Sequence, residues 1–179
     1  MTPNWKPGDR RPASDPMIRV DQAGEFGAIR IYAGQLAIMG DRHPVAREIA
    51  GMALQEEKHR AFFDAMMARR RVRPTIFAPL WNVAGFALGA VTAAIGPEAA
   101  MACTAAVETE IDKHYADQLV ALGASDPELS DAIVEFQAEE VEHRDTALAH
   151  GAERAPAYPL MSAVIRAGCR IAIATAQRI

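Results

Sequence analysis

Helix signals recur along this chain, whereas no run of alternating Val, Thr or Tyr stands between turn clusters as a strand would require. Prolines at first-turn positions mark where the helices start. Asp15-Pro16 opens a segment reaching about Gly40, and Asp41 with His43-Pro44 opens a second reaching about Val72. Pro97 opens a third to about Gly123, and Ser125-Asp126-Pro127 opens a fourth to about His150-Gly151. Helices of about 25 residues are roughly 38 Å long at 1.5 Å per residue. Between the second and third lies a charge-free stretch, PTIFAPLWNVAGFALGAVTAAIG, residues 74–96. After APAYP a last amphipathic helix runs to Ile179, with Arg166, Arg170 and Arg178 set against Ile165, Cys169, Ile171 and Ile173. Four long helices with one long crossover in the middle predict an all-α, ferritin-like four-helix bundle.

Inside that frame some polar residues fall where apolar ones belong. Glu56 and His59 share a helical face with Ala53 and Phe63. A carboxylate and an imidazole turned inward are costly unless something pairs with them. The same Glu-x-x-His spacing returns as Glu140 and His143. Glu25 precedes Glu56 by 31 residues and Glu108 precedes Glu140 by 32, so one half-site recurs about 84 residues later. Glu25 and Glu108 both sit in apolar sequence, which an exposed acidic face does not explain. A helix pair carrying one Glu and then Glu-x-x-His, used twice, is the ligand pattern of carboxylate-bridged dimetal sites. Two neighbouring cations need anionic bridges, and four carboxylates with two imidazoles supply a mixed O/N shell suited to iron or manganese, with positions left for O2. A closed structural zinc site would favour sulfur.

Composition narrows the class. The chain has 179 residues, half of them hydrophobic but only 6% aromatic, which suits one domain over residues 16–179 with an aliphatic core. Residues 1–15, polar and proline-rich, read as a flexible arm without a signal peptide's apolar core. A net charge of -4 gives no reason to expect nucleic-acid binding. Cys103 and Cys169 lie in apolar contexts without CxxC spacing and read as buried reduced thiols.

The 74–96 stretch is long enough to span a bilayer, but a span would place the two half-sites on opposite sides of it. It is therefore expected in the interface or dipping into one leaflet, the alternative being a buried crossover. The arginines of ARRRVRP just before it are available to anionic head groups, on the order of 1 kcal/mol each. Trp81, Phe86 and Leu88 are candidates to line an apolar doorway to the metals.

The segments RVDQAGEFGAIRIYAGQ, QEEKH, RVRPTIFAPLWNVAGFALGA, MACTAAVE, HYADQ, EEVEHRD and APAYPLMSAVIRAGCRIAI, in this order from Ile18 to Ile179, resemble the demethoxyubiquinone hydroxylase family of ubiquinone biosynthesis. The resemblance implies a di-iron monooxygenase that hydroxylates the ring of a polyprenylated demethoxyubiquinol. It implies Glu25, Glu56, His59, Glu108, Glu140 and His143 as iron ligands, with Glu56 and Glu140 as bridges. It gives His114 and Tyr115 a part in passing electrons to the metals, for which a supporting hydrogen bond or an exposed helix face is the alternative. Phe26 stands where many members have Tyr, at a position that is not a ligand. No GxGxxG or other nucleotide fingerprint identifies the reductant; the resemblance suggests NADH, by way of the quinone ring. It also implies a lipid-binding partner protein. The short polar arm favours a peripheral protein on the cytoplasmic face of a bacterial inner membrane, the alternative being the matrix face of the mitochondrial one. Iron storage and a metal-free membrane adaptor are the competing functions.

Overall fold

A computed structural model describes residues 14–40 and 43–178. Among these every regular element is a helix: α1 Ser14–Met39, α2 Pro44–Arg70, α3 Ala78–Ile95, α4 Pro97–Leu122, α5 Pro127–Ala149, a 3-10 turn Ala152–Arg154, and α6 Tyr158–Ala176. The expected arm falls outside the described residues except for Ser14 and Asp15, which are buried in the first turn of α1. Asp41 and Ile179 also lie outside them. Proline stands in the first turn of α2, α3, α4, α5 and α6, where a missing N–H removes nothing. The His43 imidazole accepts from Val45 N–H and the Asp126 carboxylate from Leu129 N–H, capping α2 and α5.

The helices pack as two pairs, α1 with α2 and α4 with α5, which meet through α1–α4 and α2–α5 contacts. In α4 every residue from Ala99 to Glu108 is buried, and seven of these ten are Ala, Cys or Thr. Short side chains let neighbouring helices approach this one from all sides. Two of the four apolar clusters of the core lie toward opposite ends of the long helices. One gathers Tyr32, Ile49, Met52, Met101 and Ala147, the other Ile18, Phe63, Tyr115, Ile133 and Phe136. On every one of the four long helices, the predicted ligand lies between residues of these two clusters. Water is thereby kept from both ends of the layer between them.

The crossover helix α3 lies along α1, and its backbone comes very close. A Cβ added at Gly89 would sit 1.9 Å from the Ile31 carbonyl oxygen, and one at Gly34 2.1 Å from that of Phe86. Only glycine permits that approach. The opposite face of α3 is open: Leu80, Val83, Val91 and Ile95 are exposed, so the crossover is not a buried core element. On α6, Leu160, Val164 and Ile171 are exposed too. The amphipathy expected of α6 is thus redrawn. Ile171 lies on the exposed apolar face, while Arg166 and Arg170 reach the buried Glu110 of α4, at 2.5 and 3.1 Å. The ARRRVRP arginines also divide. Arg69 pairs with Glu128, and Arg70 with Asp126 and Glu128 at the start of α5, so these two are held by protein carboxylates rather than left for lipid.

Candidate metal centre

All six predicted ligands converge. Glu25 from α1, Glu56 and His59 from α2, Glu108 from α4, and Glu140 and His143 from α5 lie in the layer between the two apolar clusters, each no more than 2% exposed. Their ligand atoms form two overlapping groups. Glu25, Glu56, His59 and Glu140 make one, and Glu56, Glu108, Glu140 and His143 the other, with all chosen atoms within 4.8 Å of one another. Glu56 and Glu140 belong to both. His59 Nδ1 stands 3.2 Å from Glu140 Oε1, and His143 Nδ1 stands 3.2 Å from Glu56 Oε1.

The polar atoms facing this centre lack partners. Glu25 Oε2, both oxygens of Glu56 and Glu140, Glu108 Oε2, and Nδ1 of His59 and His143 are buried without a hydrogen bond. Buried polar atoms are nearly always satisfied, and eight orphans aimed at one point fit a pair of cations. The charges show the same need. Burial, then the Glu140 and Glu25 carboxylates, push Glu56 well above the usual carboxylate range; burial and Glu140 do the same to Glu108. Burial also raises Glu140, but His143 and His59 outweigh it and leave it below its ordinary value. Burial would lower His59, yet the Glu140 and Glu25 carboxylates facing it hold it up at about 10.

A second ring of side chains fixes these groups. Tyr115 OH donates to Glu25 Oε1, and Tyr32 OH donates to Glu108 Oε1 at 2.7 Å. Tyr32 was not foreseen, although the sign was present: each Glu is followed seven residues later by a Tyr that reaches across to the other half's Glu. His59 Nε2 meets Glu139 Oε2 at 2.6 Å, and His143 Nε2 meets Gln55 Oε1 at 2.8 Å. His59 also stacks on Phe136, 4.0 Å between ring centroids. Tyr115 therefore touches the cluster, whereas His114 sits further out, its Nε2 3.3 Å from Asp21 Oδ1 and 2.8 Å from Gln118 Nε2.

Beside the centre opens an apolar cavity of about 370 Å³ between α1, α3, α4 and α6. Trp81 and Leu88 line it as expected, together with Ile31, Ile111, Ile165 and Cys169. Phe86 does not. It points to the surface, where Arg30 stands 5.2 Å over its ring. Gly24 and Val107, the neighbours of Glu25 and Glu108, are part of the lining, so the cavity runs up to the cluster's own backbone. Cys103 is buried and Cys169 half-buried, and neither is in a disulfide.

Residues 12–176 match the family model described as ubiquinone biosynthesis protein COQ7. The chain belongs to the COQ7 family. This COQ7-family chain is 52% identical to a 3-demethoxyubiquinol 3-hydroxylase of Rhodospirillum rubrum, over 97% of its own length and 82% of the relative's. It is 53% identical to the mitochondrial NADPH-dependent 3-demethoxyubiquinone 3-hydroxylase of Mus musculus, covering 94% and 79%. With the mitochondrial 5-demethoxyubiquinone hydroxylase of Saccharomyces cerevisiae it shares 42%, covering 92% and 78%. For the COQ7 family, the hydroxylase names of these relatives and the carboxylate–histidine centre agree on one kind of chemistry.

Proposed function

We propose that this chain is the 3-demethoxyubiquinol 3-hydroxylase of its organism, a monooxygenase that holds two iron ions between Glu25, Glu56, His59, Glu108, Glu140 and His143. The observation that carries the reading is the pair of overlapping ligand groups whose inward atoms have no other partner. Glu56 and Glu140, common to both groups, would serve both ions. Two irons so held would supply activation of O2, one atom entering a ring C–H bond and the other leaving as water with two electrons and two protons.

The protein's share is binding, orientation and exclusion of water. The apolar cavity, lined by Leu88 and Ile165 and by Val107 next to Glu108, takes the quinol substrate. The two apolar clusters keep bulk water from the centre. Tyr32 and Tyr115 each fix one carboxylate oxygen, leaving the other free to bind. His114 and Tyr115 carry reducing equivalents inward, with Asp21 and Gln118 holding the imidazole in place. The reductant is a reduced nicotinamide. NADH was expected here, whereas the names of mammalian relatives specify NADPH.

Association with the membrane follows from the exposed apolar faces of α3 and α6, which flank the cavity. A prenylated quinol stays in lipid, so the enzyme must open toward it. The site is the cytoplasmic face of a bacterial inner membrane, and a lipid-binding partner presents the substrate. An iron-storage protein has no use for an apolar cavity beside its metals. The test is iron content of purified protein together with hydroxylation of a short-tail demethoxyquinol under O2 with NADH or NADPH. Two irons per chain with reductant-dependent product support the reading. Iron without turnover would favour storage, and no iron would favour the adaptor.

A further inference from the structure

The two halves of the chain repeat each other, but the repeat is broken at the outer nitrogen of each histidine. Glu56 and His59 recur as Glu140 and His143, and by the same offset Gln55 recurs as Glu139. Each of these preceding residues reaches the histidine of the opposite half. Glu139 Oε2 lies 2.6 Å from His59 Nε2, whereas Gln55 Oε1 lies 2.8 Å from His143 Nε2. In both rings Nε2 is engaged outward and Nδ1 is the buried, unpartnered atom facing the centre. The geometry is therefore matched while the chemistry is not: a carboxylate backs one imidazole and a neutral amide backs the other.

A carboxylate accepting from one ring nitrogen makes the other a better donor to a cation, and a neutral amide does so less. We propose that Glu139 and Gln55 are positioning residues that make the two metal positions unequal, the position held by Glu25 and His59 binding the more tightly. This rests on the two-metal reading above. Loss of such an outer partner typically costs 10–100-fold in metal affinity. The bridging carboxylates Glu56 and Glu140 serve both positions and cannot create the difference. Glu25 and Glu108 cannot create it either, since each accepts from one tyrosine. Glu139 is one-third exposed at the bundle surface, so exchanging it for its isostere leaves packing intact.

The test is stepwise Co(II) binding to the metal-free full-length chain, followed by calorimetry and the visible absorption of the bound ion. Wild type should show two binding constants at least about tenfold apart. Glu139→Gln should close most of the gap by weakening the tighter step, and Gln55→Glu should close it by strengthening the weaker one. The double exchange Glu139→Gln/Gln55→Glu should open the gap again. That narrow, narrow, wide pattern is not produced by residues that merely support the fold. Two ions bound with the same gap in wild type and in Glu139→Gln, or with no gap in wild type, would overturn the proposal and leave the two-metal reading standing. Fewer than two ions bound by wild type would overturn both.

Discussion

Gly89 is the position where a single methyl group should separate fold from site. Its added Cβ would lie 1.9 Å from the Ile31 carbonyl oxygen, 2.8 Å from that carbonyl carbon and 3.0 Å from Gln35 N. Ordinary carbon–oxygen contacts begin at about 3.3 Å, so α3 and α1 must move apart by more than 1 Å locally. Both obstacles and the new atom belong to helix backbone, and no rotamer change relieves them. Overpacking of this rigid kind costs about 3 kcal/mol, while alanine returns up to about 1 kcal/mol through helix propensity. The net loss of about 2 kcal/mol should lower Tm by about 4–8 °C in a chain of this size. Gly51→Ala is the matched control: it lies on the exposed side of α2 with nothing within 4 Å of the added atom. It should raise Tm by about 2–4 °C. Because α3 supplies Trp81, Gly85 and Leu88 to the cavity wall and nothing to the ligand cluster, Gly89→Ala should raise KM for a short-tail quinol while iron content stays at the wild-type value. Thermal unfolding, metal analysis and steady-state kinetics of the two variants check this. A Gly89→Ala protein that melts at or above wild type would refute the close-approach argument.

Glu140→Ala removes a residue common to both ligand groups and should abolish turnover with loss of nearly all iron, whereas Glu25→Ala should keep close to one iron per chain; metal analysis and product assay of the two variants check this. Charging the exposed apolar faces with Val83→Asp and Val164→Asp should release the protein from anionic liposomes without changing its iron content, as read by flotation. Asp126 offers a pH prediction. Burial raises its carboxyl, but Arg70 outweighs burial, so its folded pKa lies below the ordinary 3.8. A depressed folded pKa contributes stability that is present above pH 3.8 and is lost as pH falls through the folded value. Unfolding midpoints in denaturant should therefore fall less steeply below pH 4 in Asp126→Asn than in wild type.

The long helices were legible because proline and small polar residues punctuate them, and those signals act within one turn. The ligand set was legible because each member is a polar residue on an otherwise apolar face, repeated at one offset. What the sequence hid depended on direction across the bundle. Phe86 and Leu88 are two residues apart on α3, one on Arg30 at the surface and the other in the cavity, and a charge-free helix carries no charged stripe to separate them. Arg69 and Arg70 read as free basic residues because their partners, Asp126 and Glu128, lie more than fifty positions away. Arg166 and Arg170 likewise read as a solvated face, since nothing local announces the buried Glu110 that collects them. The signal for Tyr32 lies in the same repeat, since Tyr32 follows Glu25 at the spacing by which Tyr115 follows Glu108.

Iron-57 Mössbauer spectroscopy of the oxidised protein both counts the irons and reports whether they share bridges. The expectation is two ferric ions per chain, antiferromagnetically coupled into a diamagnetic ground state, with nearly all of that signal lost in Glu140→Ala. A single uncoupled ferric ion, or an unchanged coupled pair in that variant, would contradict it.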